Sequence, residues 1–395
     1  MISFDEAIAL LSDAARPLGQ ERLPIAEAAG RILAEPVISA VSSPPRDCSS
    51  MDGYAVRDAD LAVLPARLAL AGESFPGRGF GGPVEPGRCV RIFTGAPVPA
   101  GADRVLIQEE VRREGELAIF ETVPGEARHI RPGGSDFAKG ETLVPAGRRL
   151  GPRALVAAGA ADMAELRLWR RPRVAIVTTG DELVEPGEAR TGAEMIPESV
   201  SLGVAAQAGQ WGATVIHRAR LADQLDKLQE AAAELLSSAD LVVVTGGASV
   251  GERDFAKAMF APFDLELIFS KVAIKPGKPV WFGRAGGTLL LGLPGNPTSA
   301  MVTARLFLAP LLAGLEGGEA AGALRWRRGR LVAGVGPCEA RETFVRAALE
   351  KEGVRPLTNQ DSGAQKTLVD ADLLIRRRPH SPSVPAGEEV EIIDF

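Results

Sequence analysis

The stretch from Arg173 to Gly317 constrains the fold most, because several of its short runs are apolar without interruption. Two of these runs, RVAIVTTGDEL and ADLVVVTGGASVG, are rich in β-branched residues and end in glycine turns. An uninterrupted apolar run predicts a strand that is buried on both faces, as in a parallel sheet covered by crossover helices. Leucines at helical spacing, preceded by Asp223 as a capping residue, predict one such helix. We therefore predict a doubly wound, mostly parallel α/β domain over residues 173–317.

The rest of the 395-residue chain predicts three further domains. Ser3 and Glu6 have the spacing of a capping box, which predicts an opening helix, and a second helix is predicted over Ile25–Ala34. We assign both helices to a helical and linker N-terminal domain that comprises residues 1–45 and 141–172. Short β-prone runs among many glycines and prolines predict a β-rich inserted domain at 46–140 and a small C-terminal β domain at 318–395. The predicted fold class is α/β plus β, multidomain.

The composition limits the possible partners and location of the chain. A net charge of −6 and a pI near 5.4 argue against a nucleic-acid partner, because such binding needs a basic face. The three cysteines form no C-x-x-C pattern, so we expect neither disulfides nor zinc, and we expect a reducing, cytoplasmic location. We also expect no signal peptide and no membrane span. With only three histidines, any chemistry should depend on carboxylates, lysines and backbone groups.

Ligands of open parallel sheets bind beyond the carboxyl ends of the strands, so the loops after the apolar runs are candidate sites. The first loop places Asp181 and Glu182 beside Gly180, although an ordinary turn with aspartate as a helix cap explains the same residues. The second loop, Thr245–Gly251, exposes several N–H groups that suit a phosphate, and Asp254 follows it. This loop is neither the dinucleotide fingerprint nor a Walker sequence, and glycine-rich loops are common.

A third loop and a lysine-containing segment complete the candidates in the α/β domain. The third loop reads PGNPTSA from Pro294 onward, and Pro297 suits the first turn of a helix whose N-terminus favours phosphate or carboxylate. Lys271, Lys275 and Lys278 lie in a segment that is too rich in proline and glycine to be helical. Such lysines often mark only a solvated surface. Because apolar residues separate them, we predict a partly buried segment whose lysines point into a shared cleft and bind anions.

Two motifs in the N-terminal third carry acids on glycine turns. Asp52 lies in SSMDGYA and Asp136 lies in RPGGSD. On the residues alone, turn geometry is the simpler explanation of both acids.

Together these segments resemble the molybdopterin molybdenumtransferase family, the bacterial counterparts of the C-terminal domain of gephyrin. The resemblance spans nearly the whole chain and is carried by SSMDGYAVR, RIFTGAPVPAGAD, RPGGSDFAKGETLVPAG, TTGDEL, TGGASVGERD, KVAIKPGKPVWFG and GLPGNPTSA. It implies a homodimer of four-domain subunits that converts adenylylated molybdopterin and molybdate into molybdenum cofactor and AMP, with Mg²⁺ as the cofactor. It also implies an active cleft shared between subunits, and possible contact with the molybdopterin adenylyltransferase.

The same resemblance assigns roles to individual residues. The implied catalytic residues are Asp52, Asp136, Glu182, Asp254, Lys271 and Lys275. Of these, Glu182 and Asp254 would serve magnesium or nucleotide, and the two lysines would serve the anions. The implied substrate-binding residues are Thr94, Gly180, Asp181, Ser199, Asp223, Gly246, Gly247, Ser249, Gly251, Lys278, Pro294, Gly295, Asn296, Pro297 and Ser299.

Two other functions remain open at this point. The α/β domain alone would also suit the preceding step of the pathway, adenylyl transfer onto molybdopterin, but the extra domains and Asp52 favour metal insertion. A non-catalytic pterin-binding carrier or scaffold is the third possibility. It is suggested by Val200, which stands where the family usually has an asparagine whose amide could bind the substrate.

Overall fold

The computed structural model describes residues 1–191, 194–246 and 255–395. The helices of the described residues are α1 (Phe4–Ala14), α2 (Pro152–Ala160), α3 (Val200–Gln210), α4 (Leu225–Ser238), α5 (Phe255–Ala258), α6 (Pro297–Thr303) and α7 (Ala309–Leu315). Short 3₁₀ turns lie at Ile25–Glu27, Asp58–Leu61, Gln108–Glu110, Ala189–Thr191, Ala261–Phe263, Ala321–Ala323 and Lys366–Leu368.

The strands fall into three groups along the chain. The first group is β1 (Gln20–Pro24), β2 (Val37–Ile38), β3 (Cys48–Ser49), β4 (Gly53–Val56), β5 (Ala66–Ser74), β6 (Arg88–Ile92), β7 (Arg104–Ile107), β8 (Val111–Glu114), β9 (Leu117–Phe120), β10 (Ile130–Arg131), β11 (Thr142–Val144) and β12 (Glu165–Trp169). The second is β13 (Arg173–Thr179), β14 (Leu183–Val184), β15 (Ile196–Pro197), β16 (Thr214–Leu221), β17 (Leu241–Thr245), β18 (Glu266–Phe269), β19 (Ile274–Lys275), β20 (Trp281–Ala285) and β21 (Thr288–Leu293). The third is β22 (Arg327–Arg330), β23 (Glu342–Glu350), β24 (Gly353–Pro356), β25 (Leu373–Arg377) and β26 (Glu389–Asp394).

The central sheet has the strand order β16-β13-β17-β21-β20-β18. Its first four strands are parallel, and β20 and β18 run antiparallel to their neighbours. Alternate side chains of β13 pack on opposite faces of the sheet. Val174 and Ile176 pack with α3 and α6 on one face, whereas Ala175 and Val177 pack with α4 on the other. The strand is therefore buried on both faces, and the predicted mostly parallel α/β domain is confirmed.

The longest helix of this domain runs from Pro297 to Leu315 and includes a π-helical turn at Ala304–Leu308 that joins α6 to α7. By length and composition alone it could cross a membrane, but 94% of its apolar window is buried inside the protein. It therefore serves as the central core helix of the α/β domain.

The β-rich parts lie on either side of the α/β domain in the chain. Strands β7-β4-β6-β5-β9-β8 form one six-stranded sheet, and β19-β23-β25-β26-β22 form another, with β24 beside β23. A smaller core around Leu33, Leu150 and Leu168 holds together α2 and the β1–β12 and β2–β11 ladders. Strand β19 belongs to the α/β stretch of the sequence but pairs with β23 of the C-terminal sheet, so it links the two parts.

The structure confirms one local prediction, the capping box of the first helix, and corrects two others. Helix α1 begins with the predicted capping box, in which Ser3 and Glu6 each accept a backbone N–H of the other. However, the buried Phe4 of this helix packs in the α/β core, with its ring 5.0 Å from Phe344, so α1 does not belong with the rest of segment 1–45. The helix predicted over Ile25–Ala34 is wrong, because only the 3₁₀ turn forms before Gly30 takes a positive φ of 73°.

The predicted cap of α4 was also wrong. The residue before this helix is Gln224, which makes no side-chain cap, and Asp223 lies one residue earlier. Its backbone N–H donates to the Asp181 carboxylate at 3.1 Å, so Asp223 helps to form a strand-end loop instead.

Candidate ligand site at the carboxyl ends of the parallel strands

Three parallel strands end side by side and bring their loops together. The hydroxyls of Thr178 and Thr245 lie 2.8 Å apart at the ends of β13 and β17, and Thr245 is paired with Leu293 of β21. Gly246 has φ of 88°, and a Cβ there would lie 2.7 Å from the Thr179 carbonyl oxygen. A Cβ on Gly295 would in turn lie 3.3 Å from the Cα of Gly246. Only glycine lets the loops approach this closely.

A cavity of about 720 Å³ opens between these loops. Its volume is in the range of small-molecule sites, which commonly lie at this edge of α/β sheets. The structure brings the following predicted residues together in its wall: Gly180, Glu182, Ser199, Asp223, Gly246, Pro294, Gly295, Asn296 and Pro297. Thus nine residues from five separate segments of the sequence line one cavity. The pattern of strand-end loops predicts three of these segments, and the family resemblance added Ser199 and Asp223.

The loop after β13 combines an acid with a strained glycine. Gly180 has φ of 149°, and the carboxylate of Glu182 lies over it so closely that a Cβ would meet it at 2.9 Å. Asp181 lies beside the cavity but is not part of its wall, and it holds the Asp223 loop through the hydrogen bond already described. Glu182 is exposed, so its carboxylate is free to meet a ligand.

The loop after β21 leads directly into α6. Pro297 occupies the first turn, as predicted, and Asn296 precedes it without capping the helix. The Asn296 amide instead donates to the Ser362 hydroxyl at 3.1 Å, and the N–H of Thr298 donates to the Ser362 carbonyl at 3.2 Å. Ser299 is buried outside the cavity wall, and its carbonyl accepts the Thr303 hydroxyl at 2.7 Å. The helix N-terminus still presents a partial positive charge to the cavity.

Glu198 and two residues of the C-terminal domain also line the cavity, and sequence reasoning missed them. Glu198 is 2% exposed, accepts the N–H of Ser201 at 2.9 Å, and has its other oxygen 3.6 Å from Arg218. Glu198 precedes the N-cap residue Ser199 of α3, and glutamate is not among the usual capping residues, so no local pattern indicated its role. Gly363 and Gln365 reach the cavity from a distant part of the chain, and no local pattern indicates this.

The three lysines do not contribute to the described wall of the cavity. Lys271, Lys275 and Lys278 are exposed, whereas Val272 and Ile274 between them are fully buried. Partial burial of the segment is thus confirmed, but the alternation that buries the apolar side chains turns the lysines outward. The predicted shared cleft is not formed by the residues that the structure describes.

The N-terminal acids lie on the inserted β-rich domain. Asp52 accepts two hydrogen bonds from Thr94, one from its N–H and one from its hydroxyl, each at 2.7 Å. These bonds, the backbone one first, lower the pKa of Asp52 below its usual value. Asp136 is exposed on a turn, and its N–H donates to the Ser43 carbonyl at 3.0 Å. No described residue before Arg173 lines the cavity, so one chain does not bring these three residues into it.

Gly247, Ser249, Gly251 and Asp254 lie outside the described residues. Within the described ranges, no group of three or more histidines, cysteines and acids could hold a metal ion. Val200 is the first residue of α3; it packs in the main core and also lines the strand-end cavity.

Fold and cavity together define a multidomain α/β protein whose small-molecule site lies at the carboxyl edge of a parallel sheet. Three family models match the chain: "MoeA N-terminal region (domain I and II)" at residues 2–161, "Probable molybdopterin binding domain" at 175–314, and "MoeA C-terminal region (domain IV)" at 328–395.

Known relatives extend this match over nearly the full length. The molybdopterin molybdenumtransferase of Haemophilus influenzae is 38% identical over 80% of this chain and 78% of its own. That of Synechococcus elongatus is 33% identical over 98% of this chain and 96% of its own. The crystal structure of the molybdopterin biosynthesis MoeA protein of Pyrococcus horikoshii superposes with a TM-score of 0.85 at 29% identity, covering 99% of this chain and 98% of that one. The chain belongs to the molybdopterin molybdenumtransferase family.

Proposed function

We propose that this protein inserts molybdenum from molybdate into adenylylated molybdopterin and releases AMP. The observation that carries the proposal is the cavity at the strand ends, where three glycine- or proline-containing loops and a helix N-terminus converge. Such a set of backbone N–H groups suits a phosphorylated substrate. Relatives named for this reaction, similar over most of the chain, support the same assignment.

Within the cavity, backbone groups and side chains would bind different parts of the substrate. The start of α6 and the Gly246 loop would hold the phosphate oxygens, while Glu198, buried and fixed by Ser201 and Arg218, would accept hydrogen bonds from the substrate. Glu182 is the described acid best placed to hold magnesium beside the phosphoanhydride, since it lies in the cavity wall and is exposed. The exposed Lys271 and Lys275 would attract molybdate to the protein surface.

Magnesium fits this site as a cofactor shared with the substrate. Mg²⁺ is usually held by one or two carboxylates together with substrate phosphates, so it needs no cluster of three acids. Glu182, and Asp254 beyond the described residues, would be its protein ligands. When bound, the ion would neutralise the charge that develops on the phosphates.

A homodimer would complete the site. Asp52, Thr94 and Asp136 are absent from the cavity wall of their own chain, and a second copy could supply them across the interface. We further propose a cytoplasmic location, supported by three cysteines that are all unpaired, and contact with the adenylyltransferase that delivers the adenylylated substrate.

The experiment is to measure AMP release from adenylylated molybdopterin by the purified protein with Mg²⁺, with and without molybdate. Molybdate-dependent release is the expected result. Glu182→Gln should lower the rate at least about 100-fold, because its carboxylate acts directly. Production of pyrophosphate from ATP and molybdopterin would indicate adenylyl transfer instead. Tight binding of the nucleotide without turnover under any condition would leave only a carrier or scaffold.

A further inference from the structure

A second cavity of about 940 Å³ lies away from the strand ends, against the other end of α3. Its wall combines this helix end with Arg148 and Arg149 from the N-terminal part and with the glycine- and alanine-rich segment that follows α7. Four arginines line it: Arg148, Arg149, Arg305 and Arg325. None of the residues assigned to the proposed reaction takes part in this wall.

Arg305 is the central feature of this second cavity. It is 7% exposed and lies on the π-helical turn Ala304–Leu308, a distortion that often marks functional sites. Its Nε donates to the Asp394 carbonyl at 2.7 Å and its Nη2 to the Ala323 carbonyl at 3.2 Å. The buried Nη1 has no hydrogen-bond partner among the described residues. A buried guanidinium with an unused donor is costly unless a ligand satisfies it.

Two further side chains define what such a ligand must offer. The Oε1 atom of Gln207 is buried in the same wall and has no donor among the described residues. Trp211 presents an aromatic surface, and the Arg305 guanidinium lies 5.2 Å from its ring centre. A ligand for this wall therefore needs an acceptor for Arg305 and a donor, such as a hydroxyl or amino group, for Gln207.

The charges around the cavity are not balanced. Arg149 pairs with the buried Glu316 at 2.7 Å, and the carboxylate of Asp394 pairs with Arg327 at 2.6 Å. The remaining charged side chains of the wall are Arg148, Arg305, Arg325 and Glu319. The side chains of the wall thus carry a net positive charge, which favours an anionic ligand.

We propose that this second cavity binds a small polyanion that also carries a hydroxyl or amino group, either a phosphate ester or a di- or tricarboxylate. Nη1 of Arg305 and Oε1 of Gln207 are both covered in the described conformation, so these two side chains turn toward the cavity when the ligand binds. The anionic group then binds Arg305 together with the exposed Arg325, and the donor group binds Gln207. The volume suits a metabolite of this size. Helix α3 and the continuous helix Pro297–Leu315 each contribute residues to both cavities, so the ligand contacts two elements that also line the strand-end site.

Isothermal titration of the full chain with glycerol 3-phosphate, citrate, inorganic phosphate and glycerol tests this proposal. We expect glycerol 3-phosphate or citrate to bind with a Kd below about 1 mM, and glycerol not to bind. Arg305→Met should abolish binding, and Gln207→Leu should weaken the hydroxylated probes more than phosphate. Because Arg305 is buried, Arg325→Gln provides a variant at an exposed position, and it should weaken binding about fivefold or more.

Two controls locate the binding. Arg153→Gln removes an exposed arginine on α2, outside the cavity, and should leave the Kd unchanged. Asn296→Ala alters the strand-end cavity and should also leave it unchanged. The proposal is overturned if no probe binds, or if Asn296→Ala abolishes binding while Arg325→Gln does not. A third outcome also overturns it: the wild-type dimer binds none of the probes, and sedimentation velocity shows that Arg325→Gln dissociates this dimer. A second copy of the chain, and not a small anion, would then fill the cavity.

Discussion

Thr94 lowers the pKa of Asp52 through two hydrogen bonds to one carboxylate oxygen. Thr94→Val removes the hydroxyl bond but keeps the larger backbone contribution, so the pKa of Asp52 should rise part of the way towards its usual value. A carboxylate that must be ionised would then be protonated at a higher pH. We expect the acidic limb of the pH profile of AMP release to move to higher pH in this variant.

The matched control for that profile is Thr94→Ser, which keeps both donors and should leave the acidic limb where it is in the wild type. An equal shift in the serine variant, which keeps the hydroxyl, would show that loss of the hydroxyl bond to Asp52 is not what moves the acidic limb.

Gly246 tests the close approach of the strand-end loops. With φ of 88° and the Thr179 carbonyl 2.7 Å from any added Cβ, Gly246→Ala should lower the free energy of unfolding by about 2 kcal/mol or more. Gly209→Ala makes the same chemical change within α3, where nothing lies within 4 Å of the new Cβ, and should raise it by about 0.5 kcal/mol. Urea denaturation measures both values. A Gly246→Ala protein as stable as the Gly209→Ala protein would contradict the described loop geometry.

At the scale of elements, one buried arginine fixes a C-terminal loop over the start of α6. Arg346 is fully buried and donates through Nη1 to Thr298 and Thr367, each at 3.2 Å. Its Nη2 donates to the carbonyls of Asn359 and Asp361 at 3.1 and 3.0 Å. The loop held in this way carries Gly363 and Gln365 into the cavity wall, so the C-terminal domain forms part of the site.

Arg346→Lys should therefore affect both stability and substrate binding. Lysine keeps the charge but cannot satisfy four partners in a planar arrangement, so we expect a loss of about 2 kcal/mol in the free energy of unfolding. Release of the loop should raise KM for adenylylated molybdopterin more than it lowers kcat. Arg355→Lys, at an exposed arginine paired with Glu350, is the control and should change neither quantity measurably. A lowered kcat with unchanged KM would argue against a binding role for the loop.

The elements that the sequence predicted best are those whose environment leaves a local pattern. Strands β13 and β17 are buried on both faces, and so they read as unbroken apolar runs. The glycine and proline loops were readable because their backbone geometry allows few other residues. Gln365 could not be predicted, because it enters the site through the tertiary network around Arg346. Asp223 was given the wrong role because a loop aspartate and a helix cap share one local pattern.

For the molecule as a whole, the main question is where the N-terminal acids act. In one chain, Asp52 belongs to the β-rich inserted domain, while the cavity at the strand ends is lined from the α/β and C-terminal domains. Both regions carry segments of the family resemblance. The proposed homodimer would account for both facts, because each inserted domain could then reach the cavity of the other copy.

Mixing two inactive variants tests this arrangement. Asp52→Asn and Glu182→Gln should each abolish AMP release. If the site is shared between subunits, a mixed dimer holds one site with both defects and one with neither. Mixing the two proteins in equal amounts under conditions that exchange subunits should therefore restore about a quarter of the wild-type activity, since half of the dimers are mixed and each has one intact site. If both residues acted within one chain, every site in every dimer would carry one defect, and no activity would return. The control mixes Asp52→Asn with the double variant Thr94→Val,Asp52→Asn. Every chain in this mixture lacks the Asp52 carboxylate, so no site is intact and no activity should return.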